Sequence, residues 1–230
     1  MDPKIRSETV RKRLEGEFGR YELDEPEEPM AALVNTILSQ NTTDITSDRA
    51  YAALRKRYPT WRALSKAEPA ELANTIRVGG LPRIKAERIL GALAEIERQT
   101  GKLSLDFLHD MTEKEADEWL GKLKGVGPKT RAIVILFALG KKAFPVDTHI
   151  SRVTQRIGIV RKGAGREEAQ ERMASLSKPA DYFSYHINLI EHGRRACSAR
   201  RPKCPPCILS DVCLWPEKVK YGWKPVRKSR

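Results

Sequence analysis

Four cysteines, Cys197, Cys204, Cys207 and Cys213, fall within 17 residues, and the rest of the chain contains none. Their spacing is C-x6-C-x2-C-x5-C, and Pro202, Pro205 and Pro206 stiffen the turns between them. Thiols held this close in sequence read as one local metal site, because a disulfide framework would distribute its cysteines along the chain. A tetrahedral zinc ion and a cubane iron–sulfur cluster both take four thiolates, so the spacing leaves that choice open. Paired disulfides fit less well, since residues 1–21 lack the apolar core of a secretion signal. The longest purely apolar run, Ala132 to Leu139, is far shorter than the roughly 20 residues that span a bilayer. Neither secretion nor membrane insertion is expected, and the cytoplasm is the expected compartment.

At 230 residues the chain makes one large or two small domains. Apolar residues recur three and four apart in residues 30–38, 50–54, 84–96 and 119–123, and strand-like alternation is hard to find, so the expected class is all-α. Helix starts are well signalled. Thr112 with Glu115 forms a capping box, Pro128 suits a first helical turn, and Asp147 can cap a helix running to Ile157.

The net charge of +13 points to a polyanionic partner. Residues 1–120 carry a slight acidic excess, whereas residues 121–166 hold eleven basic residues and one acid, Asp147. A second basic block covers residues 191–230, and its end, from residue 218, reads equally well as a solvated tail. Arg200, Arg201 and Lys203 lie in the loop between the first two cysteines, so the metal site reads as a scaffold displaying cations to phosphate.

The first basic block contains a helix-to-helix turn, Leu123-Lys124-Gly125-Val126-Gly127-Pro128-Lys129-Thr130. Glycines there let a backbone approach closely, and the N–H groups opening the next helix favour an anion. Such a turn grips phosphate without reading sequence, and Lys122, Lys124, Lys129 and Arg131 add cations. Lys129 sits in the first helical turn, where the helix dipole and neighbouring cations favour a neutral, nucleophilic amine. From Lys129 to Leu139 a helix advances about 15 Å, and the seven residues Gly140 to Val146 can return about 23 Å. Asp147 can thus reach Lys129. Composition and spacing equally allow Lys129 to be one more phosphate contact and Asp147 only a helix cap.

Taken together, the Lys124-Gly-Val-Gly-Pro-Lys129-Thr130 turn, Val146-Asp147-Thr148-His149-Ile150 with its aspartate 18 residues after that lysine, and the cysteine tail resemble the endonuclease III branch of the helix-hairpin-helix DNA glycosylases. The resemblance spans residues 28 to 214. It implies a six-helix barrel over residues 31–141 and a second helical domain from residues 1–30 and 142–230, with DNA in the cleft between them. It implies that Lys129 attacks C1′ of a damaged nucleotide, that Asp147 assists by electrostatic stabilisation and proton transfer, and that the cysteines hold a [4Fe-4S] cluster. DNA contacts are expected from Lys124, Gly125, Val126, Gly127, Thr130, His149, Arg200 and Arg201. Gln40 or Asn41 corresponds to the residue filling the space left by a flipped base, and Leu81 to an apolar wedge.

This sequence departs from the family pattern at Asn41, where many relatives have glutamine, at Lys124 for proline, and at Arg131 for a small alanine. Asn35 stands where adenine-specific relatives use glutamate. The expected activity is that of a monomeric base excision repair glycosylase with β-elimination at abasic sites, acting on oxidised pyrimidines in duplex DNA. A monofunctional mismatch or alkylated-base glycosylase, and a non-catalytic DNA clamp, are the alternatives.

Overall fold

A computed structural model describes residues 1–224. These residues are helical with no β-strand among them, as the apolar spacing predicts. No helix among them is long and apolar enough to cross a membrane. The chain divides into two units, Glu25–Lys141 and Met1–Asp24 with the chain from Lys142 onward.

The Glu25–Lys141 unit holds α2 (Pro29–Leu38), α3 (Asp44–Arg57), α4 (Trp61–Ser65), α5 (Pro69–Thr75), α6 (Pro82–Thr100), α7 (Glu113–Gly121) and α8 (Pro128–Ile133). Of these seven, α4 is a five-residue link; the other six are longer. The unit extends back beyond the expected residue 31, because the Glu27 N–H bonds the Phe137 carbonyl (3.1 Å) and Met30 is fully buried. Helix α2 is apolar on nearly every side and lies at the centre, packed by α3, α6 and α8. Helix α8 does not run on as an α-helix to Leu139. It widens into π-turns over Val134–Ala138, and the Leu139 N–H reaches back to the Val134 carbonyl.

The other unit is built on α1 (Pro3–Phe18), α9 (Thr148–Ile157), α10 (Arg166–Ser175) and α11 (Tyr182–Arg195). Helix α11 packs on both α1 and α9. Phe144 meets the rings of Tyr182 and Tyr185 edge-on, at 5.4 and 5.8 Å between centroids.

Candidate functional site

The basic turn is formed as its sequence predicts. Helix α7 opens on the Thr112–Glu115 capping box, and α8 opens at Pro128 with Gly127 as a cap that offers no side chain. Gly125 has φ +85°, and a methyl group built on it would lie 2.8 Å from Cγ of Arg88, so both conformation and space require glycine there. Gly127 differs. Its φ of −87° suits any residue, and a methyl group there would meet no protein atom within 4 Å. Val126 and Thr130 are buried, so the turn presents main chain at those positions, while Lys122 and Lys124 are exposed. Lys129 is half-buried in the first turn of α8.

The structure corrects the role of several cations. Arg131, counted with the phosphate-facing lysines, pairs with Asp117 of α7 at 2.8 Å. Lys141 donates to the carbonyls of Leu108, His109 and Met111. Lys218, at the start of the segment that reads equally well as a solvated tail, is buried and donates to the carbonyls of Ser210 and Cys213, each at 2.6 Å. Residues 225–230 of that tail lie outside the described residues. Backbone carbonyls left over at turns and helix ends attract Lys141 and Lys218, a demand that composition does not reveal.

Gln40 and Asn41, equivalent in sequence, diverge in structure. The half-buried Gln40 side chain is held against the protein: Arg88 donates to its carbonyl oxygen, and its amide reaches the Gly125 carbonyl at 3.5 Å. Asn41 is exposed at φ +53°. Leu81 is 46% exposed at φ +49°, and it directly precedes the Pro82 that opens α6. Asn41 and Leu81 are the non-glycine residues with positive φ among the described residues. Such strain persists only where surrounding structure imposes it, and it concentrates at functional sites.

Sequence reading places Ile84 on the core-facing stripe of α6. The register is one residue off: Ile84 is 46% exposed and Lys85 is 1% exposed. The Lys85 ammonium donates to the carbonyls of Leu38 (2.6 Å) and Gly79 (2.7 Å). Burial, reinforced by the charge of Arg88, holds its pKa below the usual lysine range. The available signal was a lysine at a position four, seven and eleven residues before Ile89, Ala92 and Ile96 on one apolar face.

In the other unit Asp147 caps α9, accepting the Ile150 N–H at 2.7 Å. His149 packs beside Gly193, where a methyl group would lie 2.9 Å from the His149 Cβ. Arg152 and Arg156 extend from the same helix to brace the first cysteine. Arg152 donates to the Cys197 carbonyl at 2.9 Å, and Arg156 donates to the Cys197 Sγ at 3.4 Å while lying over Trp215 at 3.9 Å. Neither arginine carries a local sequence signal. Beyond Cys197, Arg200 and Arg201 are exposed.

All four cysteines are free and line one pocket with Arg156, His192 and Trp215. Among the described residues no group of three or more His, Cys, Asp or Glu side chains is placed to hold a metal ion. Burial pushes the Cys207 thiol up to about 11, against the Leu209 N–H, and also raises Cys204 and Cys213. Thiols whose ionisation burial opposes become metal ligands only as thiolates, so binding of a metal group and loss of their protons are coupled. The donor set is soft and suits iron–sulfur coordination.

Residues 34–179 match the profile of HhH-GPD superfamily base excision DNA repair proteins. The chain is 33% identical over 186 residues to endonuclease III of Thermotoga maritima, covering 81% of this chain and 83% of that protein. It is 34% identical over 182 residues to a candidate DNA glycosylase of Arabidopsis thaliana, covering 79% of this chain and 62% of the plant protein. Among solved structures, a trapped endonuclease III–DNA covalent intermediate is similar at a TM-score of 0.81 and 27% identity, over 96% of this chain and 99% of that one.

Proposed function

The chain belongs to the HhH-GPD superfamily of base excision DNA repair proteins, and from that premise we propose that it is a bifunctional DNA glycosylase and abasic-site lyase acting on oxidised pyrimidines in duplex DNA. The observation that carries the reading is the hairpin. Its open glycine, Gly127, and its half-buried lysine, Lys129, are two residues apart at the start of one helix, so phosphate grip and nucleophile share a rigid support.

In the proposed reaction the neutral Lys129 amine attacks C1′ as the N-glycosidic bond breaks, and the base departs with the bond's electron pair and a proton. Asp147 stabilises the positive charge developing on the sugar and takes part in proton transfer. Opening of the sugar gives an imine between Lys129 and C1′. Removal of a C2′ proton then breaks the C3′–O bond, and water releases the lysine. Flipping a base from the stack costs a few kcal/mol. Asn41 is the better candidate for filling the gap, since Gln40 is tied to Arg88, and Leu81 is the wedge.

Cys197, Cys204, Cys207 and Cys213 would hold a [4Fe-4S] cluster, a reading supported by four free thiols lining one pocket and by the similarity to endonuclease III. When bound, the cluster cross-links four points of the segment that displays Arg200 and Arg201. The direct test is an excision assay on duplexes carrying saturated pyrimidines such as thymine glycol. We expect base release with strand cleavage on the 3′ side; absence of release across the whole set refutes the reading.

Two predictions follow from local geometry. Asp147→Asn keeps an equally good helix cap, so the melting temperature should move by no more than about 2 °C while single-turnover excision falls about 10²-fold, the scale of a lost charge and proton-transfer group. A pure cap would leave the rate unchanged. For the hairpin, Gly127→Ala should leave stability unaltered and weaken DNA binding about tenfold, equivalent to about 1.4 kcal/mol, by filling the space a phosphate needs. Gly125→Ala should destabilise the free protein by about 1–2 kcal/mol through left-handed strain, more if Arg88 cannot move aside. Thermal melts and binding titrations on the two variants separate these effects.

A further inference from the structure

Among the described residues, Asn41 and Leu81 are the non-glycine residues held at positive φ, and each follows closely on a carbonyl bonded to the same ammonium. Leu38 is the last residue of α2, three residues before Asn41. Gly79 ends the short 3-10 turn Arg77–Gly79, two residues before Leu81. A helix ends with carbonyls that have no partner further along, and its C-terminus carries partial negative charge. Lys85, on the first turns of α6, satisfies one such carbonyl on each element.

We propose that Lys85 is a positioning residue that couples the two DNA-inserting loops, so that gap filler and wedge are held ready as one unit. This inference rests on the glycosylase reading above. Its physical basis is the difficulty of keeping a charge in a site that is 1% exposed. An apolar residue would complete the α6 stripe, so a buried ammonium demands a return in specificity of structure. Gly79 adapts to the arrangement: a methyl group there would lie 3.0 Å from the Ala50 Cβ of α3, so a side chain on the turn carrying its carbonyl would press on α3. Arg88, one turn further along α6, binds Gln40, the residue directly before Asn41. Helix α6 thus fixes the gap-filling loop at two points and the wedge loop at one.

The test compares wild type with Lys85→Met, which keeps length and apolar packing but removes the donors, and Lys85→Gln, which keeps two N–H donors on a shorter arm. Circular dichroism melts establish that each variant is folded at the assay temperature. Two readouts are then taken. Hydrogen exchange of the free protein should be faster at least tenfold in residues 39–43 and 80–81 together in Lys85→Met, with α7 and α8 unchanged. Excision from duplex DNA should fall 10- to 100-fold, while β-elimination at a preformed abasic site in single-stranded DNA, which has no opposing strand to wedge apart, should change less than threefold.

Lys85→Gln should recover part of both losses. Equal loss on both substrates, or loosening of one loop without the other, overturns the proposal and leaves Lys85 a general stabiliser. Wild-type excision retained in Lys85→Met overturns it as well. A wild-type protein inactive on both substrates brings down the glycosylase reading, and the positioning role with it, which distinguishes the two failures.

Discussion

Lys129→Ala should abolish strand cleavage at abasic sites and slow base release by at least ~10³-fold, a conservative figure for removal of a covalent nucleophile. The fold should survive. Lys129 is half-buried in the first turn of α8, a helix whose packing rests on the buried Thr130 and Ala132, and alanine is the better helix former. The competing role for this residue is a phosphate contact, which predicts a different pattern. Loss of a single phosphate contact weakens binding across all sequences and lowers the salt dependence by about one ion. It raises KM and leaves kcat nearly intact. Single-turnover rates at saturating enzyme therefore decide between nucleophile and phosphate ligand, because the nucleophile's loss persists when binding is complete.

The second large effect is expected at the cysteines. Cys207→Ser should eliminate iron binding, remove the visible absorbance of the purified protein, and lower the melting temperature by roughly 8–16 °C. Structural four-ligand metal sites contribute ~10–16 kcal/mol. Even a third of that, about 4 kcal/mol, suffices for this shift at about 2–4 °C per kcal/mol in a chain of this size. Packing and hydrogen bonds also restrain the segment, which keeps the expected loss partial. Leu209 and Val212 are buried, Arg6 donates to the Ile157 and Val212 carbonyls, and Lys218 holds two more carbonyls. Iron analysis and thermal melts of wild type and variant measure both parts. A colourless wild-type protein containing one zinc ion would contradict the cluster assignment while leaving the four-cysteine site in place.

Much of this architecture is legible in the sequence because it depends on local signals. The Thr112–Glu115 box, Pro128 and Asp147 act on helix starts within four residues, and each start forms where its signal stands. The all-α class follows from apolar spacing in the same way. What escaped is set by tertiary demand. Lys85, Arg131, Lys141 and Lys218 all look like surface cations in sequence, yet each answers an acidic side chain or a carbonyl whose position only folding decides. For that reason the +13 charge overstates the surface open to DNA. Of the basic block at residues 121–166, Lys122 and Lys124 remain exposed on the hairpin, whereas Arg131, Lys141, Arg152 and Arg156 hold the protein together. Gln40 and Asn41 could not be separated by sequence, because their difference lies in the reach of Arg88 from another helix.

In the proposed reaction Lys129 forms an imine with the damaged nucleotide. Borohydride reduces such an imine to a stable amine, so wild-type protein incubated with a lesion-containing duplex and the reductant should become covalently attached to DNA. Proteolysis and mass spectrometry of that adduct should find the sugar remnant on the peptide containing Lys129. An adduct on another amine, or base release with no adduct at all, would contradict it.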